Sequence, residues 1–170
     1  GTLAAAEPGR VSWRMEASVA QSRLADALAD LGEHTPAGAA LDEAIASRRS
    51  LVAQEPDHHR WSALLAVALG KRADLALGRG QLDRAADAAQ EALELSHQGQ
   101  AGSPHDLRGL ILAWRRVGDV AAARHEAEEA QRCWSRAAAL LDDLAVALPE
   151  PAEALRTSLI ERGWSLDDSP

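Results

Sequence analysis

Two Glu-x-x-His spacings are the residues in this chain most suggestive of chemistry: Glu55-Pro56-Asp57-His58 and Glu94-Leu95-Ser96-His97. A di-iron site in a helical bundle uses that i, i+3 pair on two helices, with two further inward Glu. Here the first pair straddles a proline-marked junction, and the second ends beside a Gly-rich loop. Both read more simply as surface polar residues, and no metal is expected. His58 and His59 would point about 100° apart on a helix, so they do not converge on one ligand. They read as exposed first-turn residues. His125 and Glu129 form an i, i+4 pair in an acidic stretch and read as a solvated face. Cys133, the one cysteine, has Arg132 and Arg136 near it and could be an activated thiolate. Lacking a Cys-x-x-Cys partner, it reads instead as a buried packing residue. Phosphate-binding Gly-rich loops, nucleophile elbows and His-Glu-x-x-His motifs do not occur. The expectation is a non-enzyme with no cofactor.

The elements that would carry any site follow from composition. Of 170 residues, 38 are Ala and 24 Leu, against 3 Ile and 7 Val, and Phe and Tyr are absent. Strands favour β-branched and aromatic side chains, whereas helices favour Ala, Leu, Arg, Glu and Gln. An all-α chain follows. The net charge of −8 argues against a nucleic-acid partner, because phosphate recognition needs a clustered cationic surface. No apolar run reaches the roughly 20 residues of a membrane helix, and Leu3–Ala6 is too short for a signal peptide. A lone cysteine makes a reducing cytoplasm the expected compartment. A start at Gly1 rather than Met suggests a piece of a longer protein.

Shifted by 48 residues, the sequence partly matches itself. Glu7-Pro8 falls on Glu55-Pro56, Trp13 on Trp61, Ala25-Asp26 on Ala73-Asp74, Gly32 on Gly80, and Glu43-Ala44 on Glu91-Ala92. A third, shorter copy is marked by Leu107, Leu110, Ile111 and Trp114, then Gly118-Asp119. Thr35-Pro36, Ser103-Pro104 and Glu150-Pro151 set a side-chain acceptor before a proline at a helix start. Gly32, Gly80 and Gly118 would supply the turns between helices.

These signals predict seven helices, at about 11–31, 36–54, 57–78, 82–97, 104–117, 120–147 and 151–163. Leu24, Leu28 and Leu31 run i, i+4, i+7, as expected of a core face. The second helix of each pair is faced with Ala, which lets helix axes approach closely. A hairpin of this kind cannot bury its face alone and must stack on a neighbour. Trp13 and Trp61 should then pack between hairpins. Trp114 and Trp134 should be core, and Trp164 either seals the last hairpin or serves as an exposed anchor.

The pattern resembles tetratricopeptide (TPR) repeats: Leu24-Ala25, Leu28, Gly32, Ala37, Leu41 and Ala44 in the first copy. The second copy reads Leu69, Ala73, Ala76, Gly80, Ala85, Ala89 and Ala92, with Arg72 at a usually apolar position. The third reads Leu107, Leu110-Ile111, Trp114, Gly118, Ala123, Ala127 and Ala130. The period is similar to that of the long repeats trailing bacterial signalling proteins such as kinases and caspase-like proteases. The resemblance implies an α-solenoid: residues 1–6 as disordered segment or linker, repeats at 7–54, 55–102 and 103–147, and a capping helix and tail at 148–170. The Gln98–Ser103 link would be its most mobile part.

It also implies a concave groove that binds a protein or peptide. The inward positions would be Val19, Ser22, Asp26 and Asp30, then Val67, Gly70, Asp74 and Leu77, then His105, Arg108, Leu112, Arg115 and Arg116. Of these, Ser22, Asp26, Asp30, Asp74, His105, Arg108, Arg115 and Arg116 are the candidate contact residues. The groove would run from acidic to basic, with Arg115-Arg116 able to clamp a carboxylate. A catalytic domain next door in the parent protein is a further implication. The open alternatives are a helical bundle that binds a metal or small ligand, and a self-association module.

Overall fold

The computed structural model describes residues 8–98 and 103–164. The expected linker at 1–6, the centre of the Gln98–Ser103 link and the tail beyond Trp164 lie outside the described residues. Every regular element described is a helix: α1 (Pro8–Asp30), α2 (His34–Gln54), α3 (His59–Gly78), α4 (Leu82–Gln98), α5 (Pro104–Ala123), α6 (Ala127–Ala139), α7 (Leu141–Ala147) and α8 (Pro149–Glu161). The helices pack in consecutive pairs, α1 with α2, α3 with α4, α5 with α6, and α7 with α8. The second helix of a pair also packs on the first helix of the next, α2 on α3 and α4 on α5, and α3 lies against α5.

The turns of the first three pairs share one construction. Gly32, Gly80 and His125 have φ of +78°, +68° and +64°. In each, the amide of the following residue donates five residues back: Glu33 to the Leu28 carbonyl at 2.8 Å, Gln81 to Ala76 at 2.9 Å, Glu126 to Ala121 at 2.9 Å. This left-handed cap satisfies helix-end carbonyls that would otherwise lack donors. Five residues after each turn residue comes a buried Ala: Ala37, Ala85 or Ala130. Twelve residues after it comes another: Ala44, Ala92 or Ala137. The same cap recurs at Gly163, where the Trp164 amide donates to the Leu159 carbonyl.

The third turn corrects the sequence expectation. Gly118 is not a turn residue but lies inside α5, which continues to Ala123. His tolerates the left-handed region better than most non-glycine residues, so His125 takes the turn. It therefore does not form the expected i, i+4 pair with Glu129. In register with the other hairpins, Gly118 matches the buried Ala25 and Ala73. It is the point of closest approach to α6: a methyl carbon there would lie 2.5 Å from Trp134 Nε1 and 3.2 Å from the Ala130 carbonyl oxygen. The expected long helix 120–147 is accordingly divided among the end of α5, α6 and α7. Of the three expected proline-marked caps, Ser103 acts as one: its hydroxyl accepts from the Asp106 amide at 3.1 Å and donates to the Asp106 carboxylate at 2.7 Å. Thr35 lies within α2, α8 starts two residues earlier at Pro149, and neither helix has a side-chain cap.

The core has two main parts. Ile45, Leu65, Leu69, Leu93 and the Ala faces of α3 and α4 are buried in the middle, joined by Val120. Ile111, Trp134, Leu141, Leu144, Leu159 and Trp164 pack the C-terminal part. Trp134 and Trp164 are thus core, as is Trp61, whose ring stacks on His58 at 4.0 Å. His58 is therefore half-buried rather than an exposed first-turn residue. Trp114 is half-buried, with the Arg136 guanidinium 4.7 Å over its ring. Trp13 contradicts the expectation: it is 80% exposed, as are Leu24 at 54% and Leu31 at 77%. Trp61 lies on a helix that α2 covers, whereas no helix among the described residues precedes α1.

Between the helix pairs, one guanidinium is fully enclosed. Arg48 of α2 donates to the Ser18 hydroxyl (3.2 Å) and carbonyl (3.1 Å) of α1, and to the Leu64 carbonyl of α3 (2.7 Å). No carboxylate pairs with it among the described residues, and burial lowers its pKa.

Candidate functional site

Small residues open a cavity that bears on the expected groove. Ala63, Ala66 and Val67 on α3 face Gly109, Leu112 and Ala113 on α5, and Ala92 and Leu95 of α4 close the end. The cavity between them has a volume of about 580 Å³. That lies in the range of pockets able to hold a small molecule or a peptide side chain with its backbone. Its mouth carries His59 and Arg60 from the first turn of α3, and His105 and Arg108 from the first turns of α5. These four side chains are exposed, and among the described residues no carboxylate pairs with Arg60 or Arg108. Lys71 and Arg116 also line it.

The other expected groove residues are engaged by neighbouring hairpins. Asp26 of α1 binds Lys71 of α3 at 2.5 Å. Asp74 of α3 holds Arg116 of α5 through both carboxylate oxygens, at 2.8–2.9 Å. Gly70 makes that pair possible: a methyl carbon there would fall 2.7 Å from Arg116 Nη1, where the guanidinium now lies flat on α3. Arg115 does not line the cavity. It sits half-buried between Asp74 (3.9 Å) and Asp119 (3.7 Å), its pKa lowered by burial and then by the Arg116 charge. Ser22 is buried rather than open to a groove, with its hydroxyl unpartnered. Asp30 is exposed at the end of α1.

Arg115 and Arg116 do clamp a carboxylate, but it is the Asp74 carboxylate of the same chain. The acidic half of the expected gradient is thus largely neutralised internally. What is left facing solvent at the cavity is mainly cationic, and Asp106, the carboxylate among its lining residues, accepts a hydrogen bond from the Ser103 hydroxyl at 2.7 Å. His59, Arg60, Lys71 and Asp106 are the charged or titratable lining residues that the sequence reading missed. Arg60, Ala63, Val67 and Asp74 recur at helical spacing on one side of α3, a signal that would have extended the inward face by two turns.

The candidate chemistry of the sequence is dispersed. Among the described residues, no three His, Cys, Asp or Glu side chains come together as metal ligands. Glu94 is exposed and accepts a hydrogen bond from Gln90 at 3.2 Å, while His97 meets the Trp114 ring edge-on. Cys133 is buried and donates toward Glu129 Oε1 at 3.4 Å. Burial, with Glu129 beside it, pushes the thiol pKa up to about 12. The flanking Arg132 is engaged by Glu129. Because the thiolate is the reactive form, native protein at neutral pH should resist a disulfide reagent such as Ellman's and react promptly only in denaturant. Rapid reaction of folded protein would contradict this burial.

No helix among the described residues is long and apolar enough to cross a membrane. A scan against protein-family models finds no match, and a search of curated proteins finds no relative. The TPR resemblance therefore stands on the residues and register described above.

Proposed function

We propose that this chain is a non-catalytic protein-interaction module, an α-solenoid of helix hairpins that captures an acidic peptide segment in the cavity between α3 and α5. The observation that carries the reading is a cavity lined both by apolar side chains and by exposed cationic ones. Val67, Leu112 and Ala113 offer room for an apolar side chain, and Arg60 and Arg108 stand beside them free of carboxylate partners among the described residues. An Arg fork suits bidentate recognition of a carboxylate. Buried apolar contact would supply affinity, and the surrounding charge would supply selectivity and on-rate. The stacking of first helices, α3 on α5, and the shared turn construction support the solenoid reading. A parent protein with signalling or effector activity in a bacterial cytoplasm fits the resemblance.

The test is selection of random 12-residue peptides on the immobilised protein. Enriched peptides should carry Asp or Glu beside an apolar residue, and their affinity should fall as ionic strength rises. Charge reversal by Arg60→Glu with Arg108→Glu should reduce binding by more than about tenfold, the effect of removing two partly desolvated charge contacts. Because both side chains are exposed, helicity and melting temperature should be unchanged. A selected pool without acidic residues, or a double variant that binds as well as wild type, would reject the proposal.

A further inference from the structure

The outward face of α1 is apolar and bare. Trp13, Ala17, Ala20, Leu24, Ala27 and Leu31 recur at alternating steps of four and three, placing all six within about 40° of one line along the helix. All six are exposed. Solvated helix faces are ordinarily polar, and an alternating four–three stripe is the seam of a helix packed on another helix.

The same register positions show what covers such a seam in this fold. On α3 and just past its end they are Trp61, Leu65, Ala68, Arg72, Leu75 and Arg79; the first three are buried, the next two half-buried and Arg79 exposed. The cover there is α2. Gly38 of α2 lies over Leu75, Ile45 clusters with Leu65 and Ala68, and Asp42 binds Arg72 at 2.7 Å. On α5 and just past its end the positions are Asp106, Leu110, Ala113, Val117, Val120 and Arg124, of which Ala113 and Val120 are buried and the others half-buried. The cover there is α4, whose Ala89 clusters with Val120. In both cases the covering helix brings small residues with an occasional Ile or Leu. On α1 the seam is present, and no helix among the described residues covers it.

From this register we infer that the α1 face is a docking surface for one amphipathic helix of the α2 type. The occupant is a partner-protein helix with Ala or Gly at four–three spacing, interrupted by Leu or Ile, laid antiparallel along α1. A second copy of α1 fits less well. Antiparallel pairing about the stripe's centre would set Glu16 near Asp30 and Arg23 near its own counterpart, like charges flanking the seam.

A synthetic peptide of residues 33–55, the α2 sequence, is the probe. Added to the intact protein, it should bind saturably and reduce acrylamide quenching of the exposed Trp13 fluorescence, a change absent in Trp13→Leu. Leu24→Asp would place a carboxylate in the seam and should weaken binding about tenfold or more. Its melting temperature should stay at the wild-type value, because Leu24 is exposed. Absence of binding up to millimolar peptide would overturn the inference. So would equal affinity for Leu24→Asp, or a protein whose Trp13 becomes protected only by concentration-dependent dimerisation in light scattering.

Discussion

Replacing Arg48 by alanine should destabilise the protein by about 3 kcal/mol, through loss of charge-assisted hydrogen bonds and an unfilled void. The guanidinium bonds to α1 and α3 from α2, so it joins two hairpins as well as the two helices of the first. For a chain of this size the melting temperature should fall by roughly 6–12 °C. Arg48→Lys should recover little, because a compact ammonium cannot reach acceptors spread across two neighbouring helices. Arg48→Met should fall between them, keeping most of the stem packing without a buried charge. Hydrogen exchange should quicken first in α1, which loses both contacts at Ser18. Equal stability of Arg48→Ala and wild type, measured by chemical denaturation, would show that the three bonds contribute nothing net.

Gly118→Ala should cost about 2 kcal/mol, against the usual gain of up to about 1 kcal/mol from Gly to Ala inside a helix. The added carbon would lie 2.5 Å from the edge of the Trp134 ring, a rigid group enclosed in the core. The ring cannot yield freely. Its Nε1 donates to Asp119 at 3.2 Å, and Asp119 also holds Arg162 at 2.7 Å, so displacement would loosen α5, α6 and the end of α8 together. Gly109, on the same helix, is the internal control, because a methyl group there meets nothing within 4 Å. Gly109→Ala should raise stability by about 0.5–1 kcal/mol. Opposite signs at two glycines of one helix would isolate close packing from helix propensity. Stabilisation at both would mean that Trp134 is free to move.

Helix class, pairing and the first two turns were legible in the sequence because they depend on local chemistry. Ala and Leu set the helices, and Gly32 and Gly80 supply backbone that most residues avoid. The third hairpin was misread by seven residues. A glycine inside a helix and a glycine at a turn look alike in sequence, and a histidine does not announce a left-handed turn. Only packing separates them, since Gly118 is needed where Trp134 meets α5.

The site divided in the same way. The candidate charges Asp26, Asp74, His105, Arg108 and Arg116 could be named from the resemblance to TPR repeats. The partners of Asp26, Asp74 and Arg116 could not, because each of these ion pairs joins residues far apart in sequence whose meeting depends on how one hairpin sits on the next. Periodicity also made Leu24 and Leu31 look like core residues, because a seam has the same pattern whether or not another helix covers it. The sequence alone determined the helices and which faces are apolar, since both are set within a few turns of chain. Which faces are covered, which charges neutralise one another and which cations remain at the cavity were decided by the tertiary structure, because burial and pairing belong to two elements at once.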